Sequence, residues 1–142
     1  MTTGYSGTPL AKKLGLKAGQ RAWFCDMPDS VRAEILANAP PLDLLPAPEP
    51  PIDTSHIFVR QRALLDCELR LLLPLLARSG QIWVSWPKKS SRQPTDISED
   101  VIRELALPLG LVDVKVCAID ATWSGLKLVI RKERRAGHPG DG

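Results

Sequence analysis

Residues 82–131 read IWVSWPKKSSRQPTDISEDVIRELALPLGLVDVKVCAIDATWSGLKLVIR, and their order decides the fold. A short apolar run is followed by a basic turn, then by a helix-period segment closed by Pro108 and Gly110, then by two apolar runs around a tight turn. That is the pattern of a strand, a helix and a hairpin. Two strands joined by one helix run alongside each other in the same direction. The WPKKSS turn at 86–91 and the DATWSG turn at 120–125 are therefore expected at one sheet edge. That carboxyl edge is where open α/β sheets commonly bind ligands.

Working outward, residues 61–79 place Leu65, Leu69, Leu72, Leu73 and Leu76 at the spacing of a buried helical stripe. Arg62, Asp66 and Arg70 form an i,i+4 ladder on the wet side, and Pro74 is expected to kink the last turns. Residues 56–60 predict the strand before this helix. Residues 39–55 hold six prolines and read as an extended connector, with room for at most a very short strand around Leu44 and Leu45. Before the connector, Pro28 and Asp29 open a helix in which Val31, Ile35 and Leu36 share a face. A β-leaning run at 20–25 precedes it. Thr8 is placed to cap a still earlier short helix, with Pro9 at its first position and Gly15 at its end. Asp96, with Glu99 three residues on, is placed to cap the helix after the basic turn.

In the final hairpin an even register sets Val114, Val116 and Ala118 on the side of Leu126, Leu128 and Ile130, and one allowed register sets Asp113 opposite Arg131. Asp113, Lys115, Lys127 and Arg131 then share a half-exposed face, where charge guards the sheet edge. The element order predicts a single three-layer α/β/α sandwich over residues 1–132, with a mostly parallel sheet and a C-terminal antiparallel edge hairpin. This is a Rossmann-like order without the glycine-rich loop. Residues 133–142 read as a flexible basic tail.

The chain has 142 residues, 44% of them hydrophobic, enough for one domain with a true core. Its net charge is +3, yet residues 1–130 carry 15 Lys/Arg against 14 Asp/Glu, and residues 131–142 carry four against two. No broad basic face is implied, and nucleic acid is disfavoured as a partner. The most apolar run, 71–77, contains Pro74 and falls well short of the roughly 20 residues a membrane span needs. The first residues lack the basic start and apolar run of a signal peptide. Cys25, Cys67 and Cys117 lie far apart, with no C-x-x-C pair and no neighbouring histidine to complete a zinc site. A reduced, cytoplasmic setting is expected, with no membrane, metal or cofactor.

The turn after the first strand reads Cys25-Asp26-Met27-Pro28-Asp29, where a Rossmann-type dinucleotide or S-adenosylmethionine site usually carries glycines. Carboxylates and a proline are the wrong chemistry for a pyrophosphate. They tell against a nicotinamide enzyme, and less strongly against a methyltransferase. The opening GYSGTPLAKK lacks both the preceding strand and the spacing of a P-loop. The histidines, His56 and His138, stand at a strand start and in the tail, so no base is placed beside a Cys or Ser for nucleophilic catalysis. The cysteines read as small apolar groups.

Two readings fit the carboxyl-edge bends. In one, Lys88, Lys89, Ser90 and Ser91 offer charge, hydroxyls and turn amides to an anion. Trp123 adds a flat apolar surface, Asp120 and Ser124 complete a polar rim, and Asp26 and Arg60 follow other strands to the same edge. In the other, the Lys-Lys turn is only solvated, Trp123 plugs the core and Asp120 caps the hairpin turn. Asp96, Glu99 and Asp100 already occupy the positive end of the next helix, which weakens the case for phosphate there.

The strings WVSWPKKSS, TDISEDVIRELAL, GLVDVKVCAIDATWSGLKLVIRK and GYSGTPLAKKLGLKAGQR resemble a bacterial family of unknown function, domain of unknown function number three thousand and fifty-two. The resemblance spans residues 4 to about 132. It implies a small cytoplasmic bacterial protein and transfers no catalytic residue, substrate or cofactor. No residue set spells out a reaction. The expectation is a non-catalytic binding or scaffold module, whose partner at the carboxyl edge is a protein or a small anionic ligand. The alternative is a reduced methyltransferase-like or nucleotide-using enzyme, which rests on the α/β order alone.

Overall fold

The computed structural model describes residues 8–141; the glycines expected to open the chain, Gly4 and Gly7, lie outside them. Six strands form one sheet: β1 (Arg21–Cys25), β2 (Asp43–Leu44), β3 (Ile52–Phe58), β4 (Leu76–Pro87), β5 (Leu111–Ala118) and β6 (Trp123–Ile130). Their spatial order is β2-β1-β3-β4-β6-β5. The first four run parallel, and β6 is antiparallel to both β4 and β5. The α/β architecture expected from the sequence is the one observed.

The layers follow from the period-2 alternation of the strands against the helical stripes. On one face α1 (Leu10–Lys13) and α2 (Asp29–Asn38) bury Leu10, Leu14, Val31 and Ile35 against Phe58, Trp83, Ile119 and Trp123. On the other face α3 (Arg62–Leu72) and α4 (Glu99–Ala106) bury Leu65, Leu69, Leu72, Ile102 and Ala106 against Ile57, Val59, Ile82, Val84, Leu126 and Leu128. The end of α1 is pinned to the sheet by the Leu14 carbonyl, which accepts from Trp83 Nε1 (3.0 Å) and Gln81 Nε2 (2.9 Å).

Several local expectations are corrected, each for a backbone reason. The long helix stops at Leu72. Residues 73–75 form a 3-10 turn around Pro74, and Leu76 begins β4 rather than the helix's last turn. Proline removes an amide donor and disfavours helix in the residue before it, so the segment breaks instead of kinking. In the proline-rich segment β2 is two residues long, and β3 begins at Ile52, four residues before His56. Pro9 precedes the first helix as its cap residue instead of occupying its first position, and Leu36 on α2 is exposed. Arg62 pairs with Glu104 of α4 at 2.8 Å, so only the Asp66–Arg70 half of the expected ladder forms.

Ser98, not Asp96, caps α4, its Oγ accepting from Val101 N–H at 3.3 Å. Asp96 instead accepts from the first amide of α3, Arg62 N–H, at 2.6 Å. In the hairpin a bulge between Asp113 and Lys115 shifts the register: Asp113 faces Leu128 and Val116 faces Leu126. Of the valines expected inward, Val114, which falls in the bulge, is 53% exposed because a bulge re-aims the strand that carries it; Val116 keeps an even register opposite Leu126 but is 49% exposed on the edge strand.

The C-terminal segment is docked, not loose. His138 is buried with Nε2–H donating to the Leu76 carbonyl at 2.6 Å, Arg135 Nε donates to the Ile130 carbonyl at 2.9 Å, and the backbone at Gly140 lies too close to the Leu76 carbonyl to admit a side chain.

Candidate functional site

The chain leaves β1 for β2 on one side and later enters β3 on the other, so the strand order reverses between β1 and β3. Where connections diverge in this way, an open sheet leaves a crevice at the carboxyl ends of the two strands. A cavity of about 480 Å³ lies there, lined by Asp26, Phe58, Val59, Arg60, Gln61 and Leu64. This volume falls within the roughly 300–1,000 Å³ of small-molecule sites.

Asp26 forms the β1 wall. The chain passes from β1 into α2 across only Asp26, Met27 and Pro28, and Asp26 takes φ 55 to make the bend. Aspartate is among the few non-glycine residues that enter this left-handed region without large cost. Its carboxylate has no cationic partner within the described residues. Glu68, one turn beyond Leu64 on α3, is equally unpaired, and its carboxyl is pushed up by burial and by the charge of Asp26. The Cys25 thiol is pushed up to about 11 by burial, then by Glu68 and Asp26. The β1 wall is thus an uncompensated anionic corner.

Arg60 forms the β3 wall. Its guanidinium lies 4.9 Å over the Trp123 ring, and Nε and Nη2 both donate to Gln93 Oε1, at 3.2 and 2.8 Å. The loop carrying Gln93 is fastened to the same strand end by Thr95 Oγ1–H, which donates to the Arg60 carbonyl at 2.7 Å. Stacking and a shared acceptor fix the plane of a side chain that is otherwise exposed.

The two tryptophan-bearing bends do meet: Pro87 pairs with Trp123, and Lys88 N–H donates to the Thr122 carbonyl at 2.8 Å. Their side chains take structural positions. Asp120 Oδ1 accepts from the amides of Thr122 and Trp123, both at 2.8 Å, which caps the turn. Trp123 is 5% exposed, its ring edge-on to Phe58 at 5.0 Å and its face under Arg60. Ser124 lies within β6, between Trp86 and Ala118. Ser91 Oγ–H donates to the Lys88 carbonyl at 2.6 Å.

The side chains of Lys88, Lys89 and Ser90 make no hydrogen bond among the described residues. Lys89 borders a second groove of about 480 Å³, with Trp86, Thr95, Ser98 and Arg103. Arg103 there is committed to Glu99, Asp100 and Asp113 at 2.9–3.2 Å.

A buried pair lies outside both cavities. His56 Nε2 stands 2.7 Å from Ser85 Oγ, its ring stacks on Phe58 at 4.5 Å, and Nδ1 has no partner among the described residues. Burial pushes His56 down to about 3, so it is neutral at ordinary pH. Both residues are sealed from solvent, which makes this a core contact and not a nucleophile–base dyad. Of the cysteines, Cys25 and Cys117 are half-buried, whereas Cys67 on α3 is exposed, contrary to the expectation that all three pack as apolar groups.

Of the residues lining the crevice, the sequence does not single out Phe58, Val59, Gln61 and Leu64, while Asp26 and Arg60 lie at the edge where they are expected. The order reversal between β1 and β3 identifies the crevice, and the extreme brevity of β2 conceals that reversal in the sequence.

No family model and no curated protein matches the chain. Solved structures share its fold. Ribosomal protein L11 methylase from Lactobacillus delbrueckii subsp. bulgaricus is 11% identical with a TM-score of 0.53, covering 86% of this chain and 75% of that one. The fibrillarin pre-rRNA processing protein of Methanococcus jannaschii is 11% identical with a TM-score of 0.51, covering 90% and 71%. LepI in complex with SAM is 12% identical with a TM-score of 0.50, covering 91% of this chain and half of that one. At this identity the likeness is one of fold. The expected non-catalytic binding or scaffold module is corrected here, since the neighbours include a methylase and a protein held with SAM. Among the described residues no helix is long and apolar enough to cross a membrane.

Proposed function

We propose that this chain is a reduced methyltransferase-like enzyme that takes S-adenosylmethionine in the crevice between β1 and β3. The observation that carries the reading is the cavity at the point of strand-order reversal, with an unpaired carboxylate on its β1 wall. The donor set fits this ligand. Asp26, with Glu68 behind it, attracts a sulfonium or ammonium and repels a pyrophosphate, while Phe58, Val59 and Leu64 give an adenine ring an apolar surface.

The missing glycines do not count against this ligand as they do against a dinucleotide. Asp26 already supplies the left-handed turn, and what is lost is only the close backbone approach that a phosphate needs. When bound, the ligand supplies an electrophilic methyl group on sulfur. The chain's own contribution is to orient it and exclude water; an acceptor that is already nucleophilic needs no acid–base residue beyond correct placement. The groove beside Lys89 and Trp86 lies across the Gln93–Thr95 loop from the crevice and gives an acceptor a place to approach.

Isothermal titration with S-adenosylmethionine, S-adenosylhomocysteine and ATP tests the reading. The sulfonium ligand should bind more tightly than its neutral thioether product, ATP should not bind, and Asp26→Asn should narrow the first difference. Flat titrations with both adenosyl ligands at millimolar concentration, or tight binding of ATP, would remove it.

A further inference from the structure

The crevice carries opposite charges on facing walls, Asp26 at the end of β1 and Arg60 just past the end of β3, and the two do not form an ion pair with each other. Each is held where it is by local structure: Asp26 by the left-handed bend, Arg60 by Trp123 and Gln93. Gln93 occupies the Nε side of the guanidinium, so Nη1 and the second Nη2 hydrogen donate to nothing within the described residues. A planar fork with three free N–H groups is suited to a carboxylate, and a carboxylate at a fixed bend with no cationic partner among the described residues is suited to an ammonium.

We propose that this crevice recognises an α-amino-acid end group, with Arg60 binding the ligand's α-carboxylate and Asp26 its α-ammonium. The inference rests on the reading of the site given above and adds the orientation of the ligand. The charges agree in number as well as in sign. The crevice and the residue behind it hold two carboxylates, Asp26 and Glu68, and one guanidinium; the methionyl part of S-adenosylmethionine holds an ammonium, a sulfonium and one carboxylate. The apolar wall of Phe58, Val59 and Leu64 then receives the remainder of the ligand. A nucleotide triphosphate has no group for Asp26, and a simple polyamine has none for Arg60.

The test is a ¹⁵N NMR titration of the full chain, wild type and Arg60→Gln, with L-methionine, methioninol (no carboxylate) and N-acetylmethionine (no ammonium). Calorimetry with S-adenosylmethionine and its decarboxylated analogue accompanies it. Arg60 is exposed, and an unchanged melting temperature establishes that the variant is folded. L-Methionine should shift the Asp26 amide and the Arg60 Nε–H in wild type, while the two truncated probes should not.

Decarboxylation should weaken the adenosyl ligand by at least about tenfold in wild type and by little in Arg60→Gln, the range expected when a charge-assisted hydrogen bond is lost. Equal responses to L-methionine and methioninol, or a decarboxylation loss that persists in Arg60→Gln, would overturn the assignment while leaving S-adenosylmethionine binding intact. Arg60-dependent binding of L-methionine without binding of S-adenosylmethionine would uphold the assignment and overturn the proposed function. No response to either ligand would overturn both.

Discussion

Lowering the pH from about 6.5 to about 4.5 should cost the wild-type protein roughly 2.3 kcal/mol through one side chain, because the slope reaches about 1.4 kcal/mol per pH unit only once the unfolded group is fully protonated. That side chain is His56. It is sealed between Phe58, Trp83 and Ser85, with no carboxylate against it and Nδ1 unpartnered among the described residues, and burial lowers it from 6.5 to about 3. The sign follows from linkage: below 6.5 the unfolded chain takes up a proton that the folded chain refuses until about pH 3. Stability from this group is therefore complete above 6.5 and is lost progressively as pH falls toward 3.

Urea denaturation of wild type and His56→Gln at several pH values isolates the effect, because every other ionisable group is common to both proteins. Glutamine can still reach Ser85, so the variant should be weaker at neutral pH by about 1–2 kcal/mol but should lack the extra slope. Parallel stability–pH curves for the two proteins, or an NMR titration showing His56 protonating near 6.5 in the folded chain, would refute the reasoning.

Four further outcomes are expected. Asp120→Ala removes the acceptor of two turn amides and should cost about 1–2 kcal/mol by chemical denaturation. Gly125→Val should cost about 1–3 kcal/mol in the same assay, since a β-carbon there meets Ile119 Cδ1 at 3.0 Å and the rigid Trp83 ring at 3.3 Å. Ser98→Ala should lower stability by about 1 kcal/mol through loss of the α4 cap; exchange protection should fall at the start of α4 in this variant, and at the start of α3 in Asp96→Ala. Iodoacetamide at neutral pH should label exposed Cys67 well before Cys25, whose reaction should accelerate only as pH approaches about 11.

How far the sequence could be read depended on whether a feature is encoded by neighbours in the chain. The stripe of Leu65, Leu69 and Leu72, the strand at Ile82–Val84 and the hairpin around Trp123 are periodic and local, so the three layers and the meeting of the two tryptophan bends follow from them. The break at Pro74 is not legible in the sequence because a leucine-rich run satisfies helix and buried-strand patterns equally; the pairing of Leu76 with Ile52 of β3 selects the strand. The exchanged roles of Asp96 and Ser98 reflect a contact across the α3–α4 interface that no local motif records.

The same limit applies to the crevice. The basic WPKKSS turn is visible in the sequence because its charge is consecutive, whereas the crevice brings together Asp26, Phe58, Arg60 and Leu64 from two strand ends and a helix. Asp26 argued against a glycine-type turn by its chemistry, although an aspartate with φ 55 makes the same bend. The bulge at Asp113–Lys115 likewise left no mark in an alternation that looked regular.

A crystal structure of the chain grown with saturating S-adenosylmethionine tests the central claim most directly. The account predicts ligand density between β1 and β3, with its ammonium at Asp26 and its carboxylate at Arg60. Density in the groove beside Lys89 with the β1–β3 crevice empty, or no ligand density at all, would contradict it.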